Sequence, residues 1–137
     1  MSRPSDTSSR PERGEPGSLT TILRWFHVPD EVREFPKGRL DVVTIAGRTL
    51  ALATYEPGWK WSTHVGPVVG TQRCTTEHLG FVLSGHATAA FDDGQVYDLI
   101  PGTVFYLPPL PHDSWVVGDV PYVSLHVVGA ERHSIKA

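Results

Sequence analysis

Seven histidines (His27, His64, His78, His86, His112, His126 and His133) and one cysteine, Cys74, are the residues of this 137-residue chain with the most chemistry to offer. Imidazole can carry protons near neutral pH or ligate a metal, and a thiolate can do the latter. Several other chemistries lack their signatures. There is no G-x-x-x-x-G-K-[ST], no Rossmann glycine pattern after a strand, no G-x-S-x-G and no H-E-x-x-H. Asparagine is absent, which removes N-glycosylation and a Cys-His-Asn triad, and a single cysteine removes an intrachain disulfide framework and a Cys-rich structural zinc module.

The elements that must position these side chains are short strands. Thirteen glycines and 12 prolines punctuate short apolar runs, the pattern of an all-β chain with many tight turns. Residues 1–18 carry no large apolar side chain except Met1 and read as a disordered tail. Residues 19–35 read as a docking segment, a short helix or edge strand anchored by Trp25 and Phe26. From residue 36 to 130 the pattern has period 2. Strands are expected over Leu40–Ile45, Arg48–Tyr55, Trp59–Ser62, His78–Leu83, Ala87–Phe91, Gln95–Leu99, Val104–Leu107, Ser114–Val117 and Tyr122–Val128. Asp92-Asp93-Gly94 is a hairpin signal. Residues 131–137 form a C-terminal tail. Strands at this spacing imply a single sandwich or barrel.

Charge narrows the partners. Twelve Lys plus Arg against 15 Asp plus Glu give a net charge of −3, so a nucleic-acid binder is not expected. No apolar run reaches the ~20 residues of a membrane-spanning helix, and the first residues lack the apolar stretch of a secretory signal, so the expectation is a cytoplasmic protein.

Two stretches carry a resemblance. The first runs Pro57-Gly58-Trp59-Lys60-Trp61-Ser62-Thr63-His64 and resumes at Glu77-His78-Leu79-Gly80-Phe81-Val82-Leu83-Ser84-Gly85; the second runs from Gly102 through Pro108-Pro109-Leu110-Pro111 to His112. Together they resemble the two motifs of the cupin superfamily, over roughly residues 36 to 128. The resemblance implies a double-stranded β-helix, the jelly-roll barrel. Gly66 replaces the second His of the family's first pair, and Gly66–Arg73 is an insertion. The chain is most similar to an uncharacterised subgroup with PGW-x-WS and Cys-x-x-x-His. That resemblance implies His64, Cys74, His78 and His112 as metal ligands. Imidazole and thiolate donors favour zinc or ferrous iron over magnesium or calcium.

One geometric condition applies. On a straight strand, Cys74 and His78 would lie roughly 13 Å apart at Cα, so both bind one ion only if Thr75-Thr76-Glu77 turns. His126 alternates with Ser124 and is either an acid/base group facing the interior or a strand histidine hydrogen-bonded in place. Asp113 is either a general base beside His112 or a solvated turn residue. Trp59 and Trp61, two apart, either form an apolar mouth with Phe81 and Phe105 for a flat or ring-bearing substrate, or belong to a subunit interface. Gly66 and Gly70 either hinge a lid or sit in an ordered crossover.

The expected function is a metal-dependent enzyme of cyclase, isomerase or lyase type acting on a small organic, aromatic or carbonyl-containing substrate, with His126 and Asp113 as proton carriers. The alternatives are a metal-dependent dioxygenase and a non-catalytic metal- or ligand-binding sensor. A homodimer is expected.

Overall fold

In the computed structural model, residues 19–127 are described; the expectations for residues 1–18, for the strand and barrel ends at 128–130 and for the tail at 131–137 lie outside them. Nine strands form two antiparallel sheets. They are β1 (Glu31–Phe35), β2 (Gly38–Ile45), β3 (Arg48–Tyr55), β4 (His78–Ser84), β5 (Ala87–Phe91), β6 (Val96–Leu99), β7 (Val104–Leu107), β8 (His112–Val116) and β9 (Tyr122–His126). The larger sheet has the order β1-β2-β3-β9-β4-β7 and the smaller β6-β5-β8. Consecutive strands β4 to β9 switch repeatedly between the sheets, and that switching wraps the two layers around one core.

Alternation puts one face of each strand into that core. Leu40 and Val42, Ala51 and Ala53, Ala87 and Ala89 are buried. Interior positions around the histidines are small, and Gly80 shows why. A Cβ there would stand 2.5 Å from the Leu125 carbonyl oxygen and 2.6 Å from the Phe105 ring. The β2–β3 hairpin turns at Ala46 and Gly47, both with positive φ, as a two-residue turn twisted to match its strands requires.

Three elements differ from the expectation. Glu31–Phe35 is a true strand, paired with β2 from Glu31↔Val42 to Phe35↔Gly38, so the sheet begins before residue 36. Residues 19–30 form neither helix nor strand; Arg24 donates to the Thr44 carbonyl and pairs with Asp30 at 2.6 Å, while Trp25 is exposed. Trp59–Ser62 is not a strand. Only Lys60 bridges to Trp115, and the chain then makes two helical turns, α1 (Trp61–His64) and α2 (Gly66–Val69). The Gly66–Arg73 insertion is therefore largely an ordered crossover, ended by Gly70 in the left-handed conformation. Gly66 is buried because a Cβ would meet the Thr71 carbonyl at 2.5 Å and the Trp61 ring at 3.2 Å. No helix among the described residues is long and apolar enough to cross a membrane.

Candidate metal centre

Cys74, His78 and His112 converge in the core, each offering one ligand atom within 4.8 Å of the others, and all three are buried. The topology explains how. Cys74 pairs with His112 across a two-bond bridge, Cys74 N–H to the His112 carbonyl at 2.9 Å and the reverse at 3.0 Å. Directly opposed residues project their side chains to the same face, so thiol and imidazole lie side by side on the smaller sheet. Thr75-Thr76-Glu77 is not strand, and in it the chain crosses to the larger sheet, where His78 opens β4. Cys74 and His78 thus face each other from opposite layers, with Sγ 3.5 Å from Nε2. The turn on which the pairing depended is a change of sheet.

His112 is 2% exposed. Its Nδ1 lies 2.8 Å from the Leu110 carbonyl oxygen, which can only accept, so Nδ1 carries the proton and Nε2 keeps its lone pair. Burial pushes its pKa below the ordinary histidine value, more strongly than the Leu110 carbonyl raises it, and so favours the neutral, ligating form. Two imidazoles and a thiol that becomes a thiolate on binding suit zinc or ferrous iron by donor chemistry.

His126 stands next to this group. Its ring centroid is 5.6 Å from that of His78 and 5.7 Å from that of Phe105. Its Nε2 is 2.8 Å from Ser124 Oγ. Tyr122, Ser124 and His126 share the buried inner face of β9. Desolvation pushes the Tyr122 pKa up to about 12 and that of Tyr55 higher still, so both phenols remain protonated. Ser124 was not singled out from sequence as functional, although its alternation with His126 carries the signal.

The cavity beside these groups measures about 40 Å³ and is lined by Trp59, Trp61 and Phe105 as well as the cluster. Trp59 and Trp61 are 2% and 6% exposed, so the pair faces the interior and is not an outer interface patch. Trp59 stacks on Tyr55 at 3.8 Å. Both indole N–H groups are buried without a protein acceptor.

Three expected site residues lie elsewhere. His64 is not brought to the cluster; it ends α1, where its Nδ1 accepts from the Lys60 N–H at 3.0 Å. The α1 turn, tied to β8 through Ser62 and Asp113, holds it aside. Asp113 alternates with the inward-facing His112 and Ser114 and so points to the opposite face. There its carboxylate accepts from Ser62 N–H at 2.9 Å and Ser62 Oγ–H at 2.7 Å, tying α1 to β8. Phe81 is 37% exposed on the outer face of β4, because residues 78, 80 and 82 take the inner one.

No protein-family model matches the chain. No curated protein matches it either. Solved structures do. An oxalate decarboxylase from Lactobacillus farciminis, in complex with formate, is similar with a TM-score of 0.52 and 18% identity over 72% of this chain and 30% of that one. A variant of the Bacillus subtilis oxalate decarboxylase has a TM-score of 0.52 and 23% identity over 73% and 28%. A protein of unknown function from Vibrio parahaemolyticus has a TM-score of 0.54 and 11% identity over 71% and 95%. The match spans under a third of each decarboxylase chain. At these identities the likeness is one of fold. Two facing antiparallel sheets, the strand order and these neighbours give the chain the jelly-roll fold that the cupin resemblance implies.

Proposed function

We propose that the chain is a metal-dependent enzyme acting on a small organic molecule by a cyclase, isomerase or lyase reaction. The observation that carries this reading is the convergence of Cys74, His78 and His112 in a desolvated cavity with His126 and Ser124 beside them. Cys74, His78 and His112 would hold zinc or ferrous iron, which would supply Lewis-acid polarisation of a substrate oxygen. The chain's own residues provide the rest. His126, hydrogen-bonded at Nε2 to Ser124, holds a proton within the cavity. Trp59, Trp61 and Phe105 exclude water and set the cavity's shape.

Two neighbours are named as oxalate decarboxylases, which are lyases. Oxalate itself suits this chain poorly. Among the described residues lining the cavity there is no Lys or Arg to pair with a dianion.

The test is turnover by zinc- or iron-loaded protein across small carbonyl and hydroxyl compounds. His126→Gln is expected to abolish it while retaining the metal. Iron-dependent oxygen consumption would point instead to a dioxygenase, which three converging protein donors also accommodate. A metal-loaded protein with ligand binding and no turnover would point to a sensor, for which Cys74 in the cluster is the supporting feature.

The expected homodimer belongs to the same proposal. Outward-facing Val104, Phe81 and Leu125 stand in register across β7, β4 and β9, and Tyr106 pairs with Leu79 beside them. This flat apolar face suits a second copy related by a two-fold axis. Sedimentation should give a dimer that Phe81→Glu dissociates, and a monomeric wild type would remove the interface.

A further inference from the structure

A second, larger space opens where the two sheets part. Strands β6 and β7 are consecutive in the chain yet belong to different sheets, and each is an edge. Between them lies a cleft of about 510 Å³. That volume falls in the range of small-molecule sites, about 300–1,000 Å³.

The cleft backs directly onto the candidate metal centre. Leu99, Phe105 and Leu107 line both the cleft and the inner cavity. Phe91, also on the cleft wall, lies 4.9 Å from the His112 ring, centroid to centroid. Phe105 stands 5.7 Å from His126, and Leu107 is the cross-strand partner of His78. Three cleft residues thus abut three histidines of the core. A molecule seated in the cleft would have only these side chains between it and the cluster.

The lining states what kind of molecule that is. Phe91, Tyr97, Phe105 and Tyr106 present ring faces and edges; Phe91 and Tyr97 meet edge to face at 6.0 Å. The ionisable carboxylates are Asp93 and Asp98, and among the described lining residues there is no Lys or Arg. Asp93 is held at the hairpin by accepting from the Gln95 N–H, and Asp98 lies 3.2 Å from His86. An anion entering here would leave water, meet two negative charges and find no cation.

We infer that the cleft between β6 and β7 binds the apolar body of a small aromatic substrate that carries no negative charge, and presents it to the cluster past Phe91, Phe105 and Leu107. This inference rests on the proposed enzymatic reading and names the substrate class for it.

The test uses three probes that differ in charge, namely benzylamine, benzyl alcohol and benzoate, titrated into ¹⁵N-labelled, zinc-loaded full-length protein. Benzylamine and benzyl alcohol are expected to shift amides of Val96–Leu99 and Val104–Leu107, with benzoate at least about fivefold weaker. The double variant Asp93→Asn, Asp98→Asn keeps the turn acceptors and is expected to narrow that gap to about twofold. Benzoate binding as tightly as benzylamine, or no probe shifting these strands, would overturn the inference. Metal content measured on the same sample separates the two readings. Probe binding without metal leaves the cleft standing and removes the metalloenzyme, and metal without probe binding does the reverse.

Discussion

Gly80→Ala probes how closely β4 approaches its neighbours, on which the position of His78 two residues earlier depends. The added methyl would meet the Leu125 carbonyl oxygen at 2.5 Å and the Phe105 ring at 2.6 Å, both far inside van der Waals contact. The ring can swing, but the carbonyl belongs to β9, which pairs with β4 through Phe81↔Leu125 and Gly80↔His126. Relief therefore requires the β4–β9 ladder to shift. Overpacking of a dense core costs about 1–3 kcal/mol, and the rigid carbonyl puts this case at the upper end, about 2–3 kcal/mol. For a domain of this size that is a fall in Tm of roughly 8–12 °C, read by calorimetry or circular dichroism. Phe105→Leu in the same background should recover only part of the loss, because it removes one of the two collisions. A Gly80→Ala protein melting within about 2 °C of wild type would refute the close approach, and with it the placement of His78 against Cys74.

Two further predictions concern the groups around the core. Asp113→Ala removes the acceptor for both Ser62 bonds and should cost about 1.5–3 kcal/mol in chemical denaturation while leaving metal stoichiometry intact; loss of metal with unchanged stability would restore Asp113 to the site. The phenols of Tyr55 and Tyr122 are held protonated by burial, so each contributes stability that is complete below the unfolded tyrosine pKa of about 10 and is lost as pH rises through the folded value, about 12 for Tyr122. Absorbance titration of the folded protein to pH ~11 should leave both un-ionised, and guanidinium should release them; four phenolates in the folded protein at that pH would contradict their burial.

Much of this architecture is written locally, and what is not written locally concerns which sheet a strand joins. Arg48–Tyr55, Ala87–Phe91 and Val104–Leu107 match their expected bounds because alternation and flanking turns are local signals. Glu31–Phe35 fell within the docking segment of residues 19–35, and its charges suit the edge strand it forms. Trp59-Lys60-Trp61 has a strand's period, yet the chain bends into α1 through a contact with Asp113, 51 residues away from Ser62. The convergence of Cys74 and His78 requires three residues to cross between layers, and periodicity says nothing about layers. Phe81 is a different case. With His78 and Gly80 facing inward, strand parity alone sends it outward, so its exclusion from the cavity was legible.

Cys74, His78 and His112 are proposed to hold one divalent metal. Elemental analysis of untagged protein purified without chelators tests it most directly, run beside His112→Ala and His64→Ala. Near one equivalent of zinc or iron is expected in the wild type and in His64→Ala, and loss of it in His112→Ala, whose imidazole the Leu110 carbonyl orients. Wild-type protein that takes up no metal after reconstitution with zinc or ferrous iron, or His112→Ala that keeps it, would contradict the claim.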